Sequence, residues 1–244
     1  MSTMVLSAMA SYLRALHVHP GPELAPLPLQ ACAAALGLDG LGFLLAPAQG
    51  PVELVQSFGP RTLALEDLQL TQGQGPSLDA ARDGTLLLLP DLSDPTATAA
   101  TRWPTLPGAI QDLGIAAVFA FPVRIGVITL GALTGHRTSP GPLSADRLAD
   151  TFALTTTLAQ VIIDQAARPG AMSSLLLDEP GLHFAEVHQA TGMLSNQLDI
   201  TCAQALVLLR AHAYSQNRSI LTCARDILHH RLQLKKDGSR DHGT

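Results

Sequence analysis

The chain has 244 residues, of which 47% are hydrophobic and 14% charged, with a formal net charge of −5. That length fits one large or two small domains, and the balance is that of a folded chain with a real core rather than a disordered one. No apolar run reaches the roughly 18–20 residues a bilayer crossing needs, and no basic segment precedes the first apolar stretch, so neither a membrane span nor a secretory leader is expected and the cytoplasm is the expected location.

In chain order, residues 1–28 read as a helical extension. Val5, Met9, Tyr12, Leu13 and Leu16 fall at helical spacing before HPGPELAPLP breaks the helix. A second helix over Leu29–Leu36 stops at Gly37, as C-terminal glycines do. LGFLLAP and VELVQSFG, separated by AQGP, read as a hairpin. TLALEDLQLTQGQGPSLDAARDG reads as loop and short helix, TLLLLPDL as a buried strand, and DPTATAATRWPTLPGAIQDLG as a loop entering a short helix. IAAVFAFPVRI and VITLGALTGH form a last pair of strands with a turn near Ile125-Gly126. The first of them sets Phe119, Phe121 and Val123 on one face against Ala120, Pro122 and Arg124. A long helix follows, capped by Ser144 with Asp146 in its first turn.

Hairpins flanked by helices imply an antiparallel α+β domain over 29–167. RPGAMSSLLLDEPG, residues 168–181, has linker composition. Residues 182–234 then read as a three-helix bundle. Its first helix carries Val187, Ala190, Leu194 and Leu198 on one stripe; Thr201 and Gln204 form a capping box for the second; Ser219 caps the third. The small residues Ala190 and Gly192 suit close helix packing. Residues 235–244 read as a disordered tail.

The sequence carries no catalytic signature. GQGPSL lacks the third glycine and the GK[ST] of a phosphate loop, no GxSxG elbow occurs, and no pair of histidines or carboxylates has metal or acid–base spacing. Cys32, Cys202 and Cys223 form no CxxC and read as small buried apolar residues. No cofactor, metal or enzymatic activity is expected, which leaves sensing and binding. Residues 1–180 carry 8 basic and 15 acidic side chains, and residues 181–244 carry 7 and 5, so the C-terminal part is better suited to meet an anion.

Residues 29–165 resemble a GAF domain of the actinobacterial kind in GLGFLLAP, LQLTQGQGPSLDA, LLLLPDL, RWP and LGIAAVFAFPVRIGVITLGALTGHRTSPGPLSADRL. Residues 182–232 resemble an ANTAR domain, an RNA-binding module of transcription antitermination regulators, in HQATGML, AQALVLLRAHA and NRSILTCARDIL. Ser77 stands where many GAF relatives carry cysteine, Thr191 where ANTAR relatives often carry lysine, and Gln204 where they usually carry an acid.

The resemblance implies a homodimeric regulator in which an N-terminal GAF domain senses a small molecule and a C-terminal ANTAR bundle binds an RNA hairpin. RNA loops are held by arginine forks and short polar side chains, which implicates Gln189, Thr191, Arg210, Asn217, Arg218 and Arg225, with Arg231, Lys235 and Lys236 extending the basic run. Phe43, Phe58, Trp103, Phe119 and Phe121 are the expected rigid walls of the GAF cup. The rival reading is a protein-interaction or dimerisation regulator that senses a small ligand and never touches RNA.

Overall fold

The computed structural model describes residues 28–46, 51–94, 98–166 and 184–235, which fall into two compact units. The expected N-terminal helix over 4–17, the linker over 168–181 and the tail beyond Lys235 lie outside the described residues.

The first unit is a five-stranded antiparallel sheet with helices on both faces. Helix α1, Leu29–Leu36, ends where Gly37 turns left-handed at φ 64° and Leu38 N–H bonds back to the Ala33 carbonyl. Strands β1, Gly40–Leu45, and β2, Glu53–Phe58, form the expected hairpin. The segment after β2 departs from expectation. It folds as two helices, α2, Thr62–Gln72, and α3, Pro76–Asp83, rather than as loop and one short helix. The buried positions of α2 include Thr62, Leu65, Glu66 and Gln69. That is helical spacing, but three of these four residues are polar, so an apolar-periodicity template does not register it.

Strand β3, Leu87–Leu89, buries Leu87 and Leu89 and leaves Leu88 39% exposed, so it is an edge strand covered on one face rather than a fully buried one. Short helices α4, Thr98–Arg102, and α5, Leu106–Asp112, lead to β4, Ala117–Ile125, and β5, Ile128–Arg137. The order across the sheet is β2-β1-β5-β4-β3. Helix α6, Ala145–Ala166, begins at Ser144, whose hydroxyl accepts from the Arg147 N–H as expected of a cap.

Strand alternation gives the sheet two unlike faces. Leu41, Phe43, Phe119, Phe121, Val123 and Leu133 point to one, where Cys32, Ala33 and Leu36 of α1 and Leu154, Leu158 and Ile162 of α6 complete an apolar core. Burying each of those rings stabilises the unit by about 1.5–3 kcal/mol. Gly40, Gly42, Thr134, His136, Val118 and Ala120 are paired across the strands on the other face, where α3 packs over β4 and β5.

The second unit holds α7, Ala185–Leu198, α8, Cys202–Ser215, and α9, Ile220–Leu228. Its core is built from Val187, Ala190, Leu194, Ala205, Leu209, Ala213, Ile220, Cys223 and Ile227. The Thr201–Gln204 capping box forms in both directions, and Ser219 accepts from the Thr222 N–H. Ala190 is buried as expected. Gly192 differs: a Cβ there meets nothing within 4 Å, so it lies on an exposed face and takes no part in close helix packing. Cys32 and Cys223 are buried as expected, but Cys202 is exposed, because the first position of α8 faces away from its Ala205–Leu209 stripe. Among the described residues no helix is long and apolar enough to cross a membrane.

Candidate functional site

The polar face of the first unit's sheet carries a buried seam of hydrogen-bonding side chains. Thr62, Glu66 and Gln69 stand one helical turn apart along α2. The Gln69 amide spans the gap to α3. Its Oε1 accepts from the Ser77 N–H at 2.8 Å, and its Nε2 donates to Ser77 Oγ at 2.7 Å and to Glu66 Oε2 at 3.3 Å. Ser77 Oγ in turn donates to Glu66 Oε1 at 2.9 Å. Gln69 thus caps a helix from another element, satisfying an N–H that the first turn of α3 leaves open. The approach requires glycine at the N-cap: Gly75 has φ 141°, and a Cβ there would stand 2.4 Å from Gln69 Oε1. On the sheet side a Cβ at Gly42 would lie 3.1 Å from Thr62 Cγ2 and 3.6 Å from Glu66 Oε1, so β1 passes directly beneath this part of α2.

Glu66 is wholly buried, and its partners here, Ser77 and Gln69, are neutral; burial pushes its carboxyl up to about 8 despite the hydrogen bond from Ser77. His136 shifts in the direction that also leaves it neutral: burial pulls its imidazole down to about 4, against the pull of Asp39. Its tautomer follows from its partner. Thr62 Oγ1 donates to the Phe58 carbonyl at 2.6 Å, so at the 3.2 Å contact with His136 Nε2 the hydroxyl accepts and the ring nitrogen donates. The proton therefore sits on Nε2, and Nδ1 presents a lone pair. His136 Nδ1 and Thr134 Oγ1 are both buried without a hydrogen-bond partner. Unpaired buried polar atoms of this kind are uncommon in folded interiors.

Sequence reasoning missed Thr62, Glu66, Gln69, Thr134 and His136, and treated Ser77 only as a departure from relatives. The signal was present as a polar stripe at i, i+4 and i+7 inside a helix that otherwise looks apolar.

The aromatic residues expected to wall the cup do not share this site. Phe43, Phe119 and Phe121 are core residues on the opposite sheet face, and Phe58 packs partly buried against them. Phe121 and the Phe152 ring of α6 meet edge to face at 5.7 Å. Trp103 stands apart on the connection from β3 to β4, buried, with the Arg102 guanidinium 5.5 Å from its ring centre. These five side chains are corrected from one ligand wall to four members of a core layer and one separate anchor.

In the second unit the expected RNA-binding side chains are divided. Thr191 is buried, and its hydroxyl donates to the Val187 carbonyl of its own helix at 2.6 Å, so it is corrected from contact residue to interior residue. Gln189 and Asn217 are exposed, and Asn217 takes the left-handed conformation at φ 49°, which asparagine tolerates well, in the turn between α8 and α9. Arg210 is half-buried on α8. Arg225 Nε donates to Glu186 Oε2 of α7 at 2.7 Å. Asp226 accepts from both Arg218 and Arg231, and these hydrogen bonds, that of Arg218 foremost, hold its carboxyl below the usual range. Among the described residues no group of three or more His, Cys, Asp or Glu is placed to hold a metal.

No family model matches the chain, and no curated protein matches it. Solved structures do. The GAF domain of the Acinetobacter phosphoenolpyruvate-protein phosphotransferase is 16% identical with a TM-score of 0.50, covering 68% of this chain and 98% of its own. The GAF domain of the corresponding Coxiella burnetii protein is 16% identical with a TM-score of 0.46, covering 68% of this chain and 96% of its own. The first of these likenesses establishes the fold: the sheet-bearing unit has the fold of a GAF domain.

Proposed function

We propose that the chain is a signal-responsive regulator, a binding protein rather than an enzyme, in which the GAF-fold unit senses a small molecule at the buried seam. The observation that carries this is the pair of unpaired buried polar atoms, the Thr134 hydroxyl and His136 Nδ1, on the sheet face that also carries a fully buried carboxyl. A fold maintains such a costly arrangement where a ligand completes it. The C-terminal bundle is the output. It binds an RNA stem-loop and acts by antitermination in the cytoplasm, with the exposed Gln189 and Asn217 and the cations Arg210, Arg218 and Arg225 as its contact set. The regulator works as a homodimer.

Selection of transcript fragments against the full chain tests the RNA reading. Enrichment of a hairpin-loop element over scrambled RNA, weakening as salt rises, is the expected result. A specific observation favours a second reading, in which the bundle binds protein instead: Arg218, Arg225 and Arg231 are committed to carboxylates within the unit, and Thr191 is interior. A selection that enriches nothing transfers the function to that reading.

A further inference from the structure

We propose that the last turn of α2 masks Arg210 of the bundle, and that the seam on the same helix sets how firmly the mask is held. The inference rests on the RNA reading of the bundle and adds a control over it.

The second compact unit takes in Leu70–Gly73 as well as its three helices. These four residues are the end of α2 and the glycine that stops it. Gly73 is left-handed at φ 71°, and its N–H bonds back to the Leu70 carbonyl at 3.2 Å. A helix ends on carbonyls without intrahelical partners and on the negative pole of its dipole. Here one of those carbonyls meets a cation. Arg210 Nε donates to Leu70 O at 2.8 Å. A Cβ on Gly73 would stand 3.4 Å from both Cδ and Nη1 of Arg210, so the arginine side chain lies along the turn. Leu70 O thus holds the Nε hydrogen that a phosphate oxygen would take in a forked contact.

The next residue pins the turn. Thr71 is buried, and its Oγ1 accepts from the Ile220 N–H at 3.0 Å. Ile220 is the first residue of α9, whose opening N–H groups have no acceptor within their own helix. Ser219 serves Thr222, and Thr71 serves Ile220. Helix α9 therefore starts on a hydroxyl supplied from 149 residues earlier in the chain.

The residue before the turn belongs to the seam. Gln69 directly precedes Leu70, and its amide accepts from the Ser77 N–H and donates to Ser77 Oγ. Both roles fall on one helix of 11 residues. Its intrahelical bonds pass a displacement at Gln69 on to Leu70 and Thr71. A ligand that rearranges the seam therefore bears on the bond that starts α9 and on the carbonyl that holds Arg210.

Hydrogen exchange of the Ile220 amide in the full chain reads the turn directly, with no RNA present. Thr71→Val keeps the side-chain shape and removes the acceptor, and is expected to speed that exchange at least about fivefold. Thr71→Ser is expected to restore protection, and circular dichroism shows whether each variant is folded. Ser77→Ala, which loosens Gln69 without touching the turn, is expected to speed the same amide. Binding is then measured by anisotropy with a hairpin enriched from transcript fragments. Apparent affinity scales with the fraction of protein in the open form, so Thr71→Val is expected to tighten binding by the factor seen in exchange. Adding Arg210→Gln is expected to abolish that gain. Unchanged exchange at Ile220 in Thr71→Val or in Ser77→Ala overturns the inference. Faster exchange with unchanged affinity shows that Arg210 is not masked and also overturns it. Faster exchange in a protein that binds no hairpin in any form overturns the RNA reading itself; the mask falls with it, while the tie from α2 to α9 stands.

Discussion

Glu66 and His136 titrate in opposite senses, and together they predict an unusual stability profile for the GAF-fold unit. Glu66 has its folded pKa raised from 4.5 to about 8, so its contribution is complete below 4.5 and is lost as pH rises to about 8. His136 has its folded pKa lowered from 6.5 to about 4, so its contribution is complete above 6.5 and is lost as pH falls to about 4. Between about 4.5 and 6.5 unfolding releases a proton at Glu66 and takes one up at His136, and the two slopes cancel. Between about 6.5 and 8 only Glu66 acts, and stability falls by at most about 1.4 kcal/mol per pH unit. Denaturant unfolding followed by Trp103 fluorescence across this range checks the shape. Glu66→Gln is expected to flatten the limb above pH 6.5; a limb that persists in this variant assigns it to another group.

Two helix positions in the second unit give predictions of opposite sign. Gly192 is exposed in the middle of α7, and a methyl group there meets nothing. Gly192→Ala is therefore expected to stabilise the bundle by about 1 kcal/mol. Thr201 closes the capping box of α8 through reciprocal bonds with Gln204 at 3.2 and 2.9 Å, and Thr201→Ala is expected to cost about 1 kcal/mol. Far-ultraviolet circular dichroism during denaturation measures both. Legibility varied in the same way from element to element. The caps at Ser144, Thr201 and Ser219, the Gly37 stop and the β4 alternation could be read directly, since each depends on a few neighbouring residues. Helix α2 could not, because its buried stripe of Thr62, Leu65, Glu66 and Gln69 earns its place through bonds to Ser77, eight to eleven residues away, and to His136 on another strand. The seam was hidden for that reason: its polar residues become partners only when α2, α3 and β5 come together.

At the scale of the whole molecule, charge and exposed surface bear on the proposed partners. Glu186 holds Arg225 at the surface, with the two side chains 39% and 52% exposed, so an incoming phosphate must displace a carboxylate. If the bundle binds RNA, Glu186→Gln is expected to raise the affinity by at most about fivefold, the range open to an exposed ion pair, as filter binding or anisotropy would show. Unchanged affinity would remove Arg225 from the contact set. Helix α6 leaves Phe152 46% and Ile163 41% exposed, and the proposed dimer would cover them. Light scattering is expected to give twice the mass of 25.6 kDa, and Phe152→Glu is expected to shift the population toward the single chain. The fold of the first unit was legible from the order of blocks along the chain. The occupation of the arginines was not, because Arg225 finds its carboxylate 39 residues away in sequence.

The placement of the three cysteines turns the protein into its own stopwatch. Cys202 is open to reagent at the start of α8, Cys32 lies in the core of the GAF-fold unit with burial pushing its thiol up to about 11, and Cys223 lies in the core of the bundle. A thiol-specific alkylating agent added to the intact protein therefore marks Cys202 at once. It reaches the other two only as fast as each unit breathes open. Mass spectrometry of the labelled peptides reads the two opening rates separately in one tube. Equal rates for Cys32 and Cys223 mean that the units unlatch as one; a ligand that slows Cys32 alone acts on the sensor without reaching the output, and one that slows both carries its message across the chain.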